Sequence, residues 1–167
     1  MKKKIIAAGI GVVLILTLLS AAVHKEKILV VEDRQSGVYD EYVLANREFV
    51  LGYIHSVLLT PADEYFVITD DNQLLLQKTI YESFGVGLPY EQIQDSDFEI
   101  VDGKFILYLD RKIKELNMVI SPIPKHSLTV NGEKIELINL LNENTQSIKI
   151  YAIEKNVFEI GNYHFIL

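Results

Sequence analysis

The chain has 167 residues, a formal net charge of −7 and no cysteine. Disulfides, cysteine-bound zinc, a thiol nucleophile and a lipid-acylated cysteine are therefore excluded, and the acidic balance argues against nucleic acid as a partner because it repels phosphate. A hydrophobic content of 49%, with 10% aromatics, is ample for a folded core, so disorder is excluded and the length suits one domain with an appendage.

The appendage comes first. Lys2, Lys3 and Lys4 precede an uncharged run from Ile5 to Val23. As a helix rising about 1.5 Å per residue, that run would span about 28 Å, close to the roughly 30 Å hydrocarbon layer. One N-terminal transmembrane helix is expected, with the lysines in the cytoplasm and the remainder of a single-pass chain outside the bacterial cell membrane. The alternative is a cleaved signal peptide, for which Ser20-Ala21-Ala22 supplies small residues. Signal cores usually run only about 7 to 15 residues, which favours the anchor. Either way the expected division is 1–24 as anchor or signal peptide and 25–167 as an extracytoplasmic β-domain. All 23 acidic residues lie in that domain with 13 of the 16 basic ones, giving it a charge of −10.

Beyond the anchor, short β-branched and aromatic runs recur. Lys27 to Val31 reads as a strand and Asp33 to Glu41 as a loop. Phe49 to Ile54 and Glu64 to Thr69 read as two strands joined through a loop containing Pro61, and Leu74 to Tyr81 as a third after the turn Thr69 to Asn72. Three hairpin patterns follow, turning at Asp102-Gly103, Asn131-Gly132 and Gly161-Asn162. Lys155-Asn156 is expected to turn Ile148 to Ile153 back on the last pair. Arg111 to Leu116 and Ile138 to Asn142 each have room for a helical turn or two, and Ser121 to Pro124 reads as an extended connection. The pattern predicts an antiparallel all-β fold, a sandwich or partly closed barrel.

Three pieces stand in a definite order: G-Y-I-H-S-V from Gly52 to Val57, P-A-D-E-Y-F from Pro61 to Phe66, and F-G-V-G-L-P from Phe84 to Pro89. Together they resemble the bacterial family of domain of unknown function eighteen-fifty, with Val86 where that family usually has Ala. The resemblance covers roughly Leu29 to Leu140. It implies a protein encoded beside a TRAP-type transporter with a TAXI-class solute receptor. The implied partners are the transporter's membrane subunit or that receptor, and no catalytic residues are implied.

The motif residues His55, Ser56, Pro61, Glu64, Gly85, Gly87 and Pro89 are the candidate site, as a structural latch or a partner contact. Adjacent strand residues point to opposite faces, so His55 and Ser56 cannot form a side-chain dyad in an extended strand. A hairpin centred on Leu58 to Ala62 is expected to bring Glu64 beside His55 or Val57. Gly85-Val86-Gly87 lacks the lysine and helix start of a phosphate loop, so no nucleotide or other cofactor is expected. The four histidines are scattered, and Asp70-Asp71-Asn72 lacks the calcium-loop spacing, so no metal is expected. The expected function is a non-enzymatic, membrane-tethered accessory of a TAXI-type TRAP transporter. The alternative is an exported hydrolase or sugar-binding module using His55 and Glu64.

Overall fold

In the computed structural model of the chain, residues 23–55, 59–82, 98–141, 145–160 and 163–167 are described. Twelve strands and one 3-10 turn make up their regular structure, so the all-β expectation holds. Among the described residues no helix is long and apolar enough to cross a membrane. The expected N-terminal helix, apart from Val23, lies outside them.

The chain divides into two units, residues 27–153 and residues 1–26 with 154–167. In the larger unit, β3 (Glu48–Ile54), β4 (Pro61–Ile68), β5 (Leu74–Tyr81), β6 (Phe98–Val101), β7 (Lys104–Ile113), β9 (Ser127–Val130) and β10 (Glu133–Glu136) form a seven-stranded sheet. Its order is β10-β9-β3-β4-β5-β7-β6, with antiparallel neighbours throughout. A second sheet takes β1 (Val23–Asp33), β2 (Tyr39–Val43), β8 (Glu115–Val119) and β11 (Ser147–Ile160), with β2 on β1 and β8 on the first five residues of β11. Leu29, Val31, Ile148 and Ile150 of this sheet share one core with Phe49, Leu51, Phe66, Ile68, Leu74 and Leu128 of the other. Phe49 and Phe66 stack there at 5.0 Å. In the smaller unit, Val157 to Ile160 pair with β12 (Tyr163–Ile166), and Lys25 donates to Glu154 at 2.6 Å.

Two hairpins turn where the sequence indicates. Asp102 and Gly103 have φ of 52° and 77°, and Asn131 and Gly132 of 50° and 83°, the twin positive values that fit the twist of two-residue hairpins. The third pair is in the expected register, with Gly161-Asn162 outside the described residues.

Several expectations are corrected. Lys155-Asn156 makes no turn, because β11 runs unbroken from Ser147 to Ile160, and the ladders on either side of these residues outweigh their local turn preference. Arg111 to Leu116 belongs to β7 and β8 rather than a helix, since strand partners are in reach on both sheets. Of the expected turn from Ile138 to Asn142, Asn142 lies outside the described residues; among the described residues the one helical turn is the 3-10 turn Leu137–Asn139. Ser121 to Pro124 is not simply extended: Pro122 to Lys125 form a turn, closed with Lys125 at φ 44°. Tyr39 to Val43, placed in or just after a loop by sequence, is the strand β2.

Candidate functional site at the end of the seven-stranded sheet

The β3–β4 hairpin is the frame of the motif. Ile54 pairs with Pro61, which opens β4 at a position where a missing N–H is tolerated. Beyond it, the His55 N–H donates to the Thr60 carbonyl at 2.9 Å, and the His55 carbonyl accepts the Leu59 N–H at 2.9 Å. Leu59 sits at φ 54° with 71% of its surface exposed. A branched apolar residue at positive φ is strained, and an exposed one gains little from the fold in return.

The same register separates the residues that sequence brings together. Glu64 stands opposite Leu51, not His55 or Val57. His55 lies four residues along the chain from Leu51, about 13 Å in extended backbone. The expected His55–Glu64 contact is therefore replaced by two distinct environments. Pairing already closes at His55 and Thr60, so the hairpin turns two to three residues earlier in the chain than a centre at Leu58 to Ala62 assumes. Ser56, Gly85, Gly87 and Pro89 lie outside the described residues.

Glu64 occupies the core side of β4, between Ala62 and Phe66, with Leu51 on one neighbouring strand and buried Thr79 on the other. Burial pushes its carboxyl pKa up, opposed by the charge of Arg111. Among the described residues, its carboxyl has no hydrogen-bond partner. Tyr53, two pairs nearer the hairpin end, is pushed up to about 12 by burial and then by the charge of Glu64. The Tyr53 ring lies 6.3 Å from that of His126, whose buried Nδ1 has no hydrogen-bond partner among the described residues. Burial holds the His126 pKa below its usual value. Beside them Tyr81, Phe105 and Phe98 form a stacked aromatic file at 5.7 and 5.8 Å.

This environment has a measurable consequence. A raised folded pKa means that the neutral carboxyl is favoured in the fold. The stability it lends is full below the ordinary 4.5 and is lost as pH rises through the raised value. Glu64→Gln should therefore stabilise the chain at neutral pH, by no more than about 1 kcal/mol, since it removes the charge of a half-buried carboxyl. In thermal melts the gain should fade towards acid. It should be unchanged within about 0.5 kcal/mol in a His55→Ala background, because groups this far apart rarely couple. A gain abolished by His55→Ala would restore the contact that the register rejects.

Sequence reasoning found His55, Pro61 and Glu64 but missed Tyr53, Thr79, His126 and Arg111. Thr79 stands opposite Glu64 because of a bulge in β5: Tyr65 pairs with Lys78 but Phe66 with Leu76, leaving Gln77 as the extra residue. The run L-L-L-Q-K-T-I-Y does carry a trace of it, since the three consecutive polar residues Gln77 to Thr79 do not alternate with apolar ones. Among the described residues no group of three potential metal ligands converges.

A family model described as "Domain of unknown function (DUF1850)" matches residues 49–137. No curated protein and no solved structure matches the chain. The matched span begins within β3 and ends at Leu137, so it takes in the hairpin and most of the seven-stranded sheet.

Proposed function

We infer a role for this protein from the premise that the chain belongs to the DUF1850 family. It acts without catalysis as a membrane-tethered extracytoplasmic accessory of a TAXI-type TRAP transporter. The motif end of the seven-stranded sheet contacts the transporter's membrane subunit or its solute receptor. The tether is supported by the lysine-led apolar run Ile5 to Val23, and the transporter by the family resemblance.

The observation that carries the contact surface is a set of exposed apolar side chains at the motif end. Leu59 in the hairpin loop is 71% exposed, Ile123 in the neighbouring turn 74%, and Val101 at the β6–β7 turn 46%. The Ile54 N–H donates to the Pro124 carbonyl at 2.7 Å, which ties the hairpin end to the turn bearing Ile123. Exposed apolar residues gathered at one end suit a partner surface better than water. A strained backbone at Leu59 fits the same purpose.

The test is photocrosslinking in membranes of the native host, with a benzophenone amino acid in place of Leu59. Adducts to the transporter membrane subunit or the solute receptor are expected. A probe at Val119, equally exposed on β8, should give none. Adducts to unrelated proteins only, or equal labelling from both positions, would remove the transporter from the reading.

A further inference from the structure

We propose that the outer face of the seven-stranded sheet carries a binding site for a neutral saccharide, separate from the motif end and independent of the transporter reading. A cleft of about 570 Å³ opens there. That volume falls in the range of small-molecule sites, which run from about 300 to 1,000 Å³.

Its floor is one register row across four strands. Thr129 pairs with Val50, Val50 with Tyr65, and Tyr65 with Lys78. The bulge at Gln77 turns two consecutive side chains, Gln77 and Lys78, to this outer face, while Leu76 and Thr79 on either side stay buried. Lys78 Nζ lies 4.7 Å from the centre of the Tyr65 ring, holding its ammonium against the floor.

The walls are two turns, residues 44–47 and 130–133, locked to each other by one side chain. Asn131 Oδ1 accepts the Ala45 N–H at 2.9 Å, and Asn131 Nδ2 donates to the Val43 carbonyl at 2.8 Å. Such cross-bracing holds the cleft open before any ligand arrives, which lowers the ordering cost of binding.

The lining selects the ligand class. Val50 and the Tyr65 ring, over which Lys78 Nζ sits, offer an apolar floor. Asn46 and Gln77 offer amides that both donate and accept, Glu48 accepts, Lys78 donates, and the Thr129 hydroxyl does both. Glu48 and Lys78 cancel in charge, and the strongly acidic chain disfavours an anion. Closely spaced hydroxyls around an apolar ring face meet these demands together, because each can donate to Glu48 or accept from Lys78 while the ring lies against Val50 and the edge of Tyr65.

Calorimetric titration of the full-length protein in detergent tests this, with maltose, cellobiose and diacetylchitobiose as neutral probes and succinate as an anionic one. At least one neutral probe should bind. Gln77→Ala, at an exposed position, should weaken that binding by roughly fivefold or more with melting unchanged, since one hydrogen bond is lost. Tyr65→Ala should abolish it. No heat with any neutral probe, binding of succinate alone, or binding that survives both substitutions would overturn the site. None of these results bears on crosslinking at Leu59.

Discussion

Gly52→Val should lower the stability of the full-length chain by about 2 to 3 kcal/mol, read as a shift in the urea midpoint with an unchanged slope. Gly52 lies in β3, inside the motif, opposite Asp63 on one side and Ser127 on the other. A Cβ at this position would stand 2.7 Å from Ser127 Oγ and 2.9 Å from Asp63 Oδ1. The Asp63 carboxylate can swing outward. Ser127 cannot, since it is 2% exposed and its hydroxyl already lies 3.4 Å from the Gly52 carbonyl. Close approach of neighbouring side chains, not an unusual φ, is therefore the reason for glycine here. Gly52→Ala should cost less, and Ser127→Gly should recover much of that loss. If Gly52→Val melted like the wild type, the neighbours would have to move freely and the motif glycine would need another explanation.

Asp33→Ala is expected to cost a comparable 2 to 4 kcal/mol, about what is lost when a buried charged acceptor leaves several donors unsatisfied. Asp33 is 2% exposed at the end of β1. Its Oδ1 accepts the N–H groups of Gln35 at 2.8 Å and Ser36 at 3.4 Å, and its Oδ2 accepts the Thr145 hydroxyl at 2.8 Å. One carboxylate thus shapes the β1–β2 turn and fastens it to the segment entering β11. Asp33→Asn keeps one acceptor oxygen and should lose about half as much. Thermal melts should show that order, and limited proteolysis of the alanine variant should cut first between Arg34 and Val38. Equal melting of Asp33→Ala and wild type would mean that water replaces all three contacts without loss.

The motif is informative in different ways along its length. Pro61 is legible as a boundary residue because a proline suits the first residue of a strand, and β4 does start there. Glu64 is legible as a residue of interest. Its partner is not, because pairing across a hairpin depends on how many residues the loop holds, and the motif does not state that number. With His55 paired to Thr60, every later pair shifts and Glu64 meets Leu51. The cleft on the outer face was invisible for a related reason. Its walls come from turns 86 residues apart, joined by the Asn131 side chain.

By itself the sequence determined the strand-rich class, the strands from β3 to β5, and the two-residue turns at Asp102-Gly103 and Asn131-Gly132. Those features rest on local physics: β-branched and aromatic side chains favour extended backbone, and Asp, Asn and Gly tolerate positive φ. The tertiary structure alone decided that β11 runs straight through Lys155-Asn156, that Arg111 to Leu116 is strand, and which face Gln77, Lys78 and Thr79 present. A single bulge shifts the phase of a strand's alternation by one residue. Whether it forms is set by pairing to β4 and β7, whose partner residues lie far away in the chain.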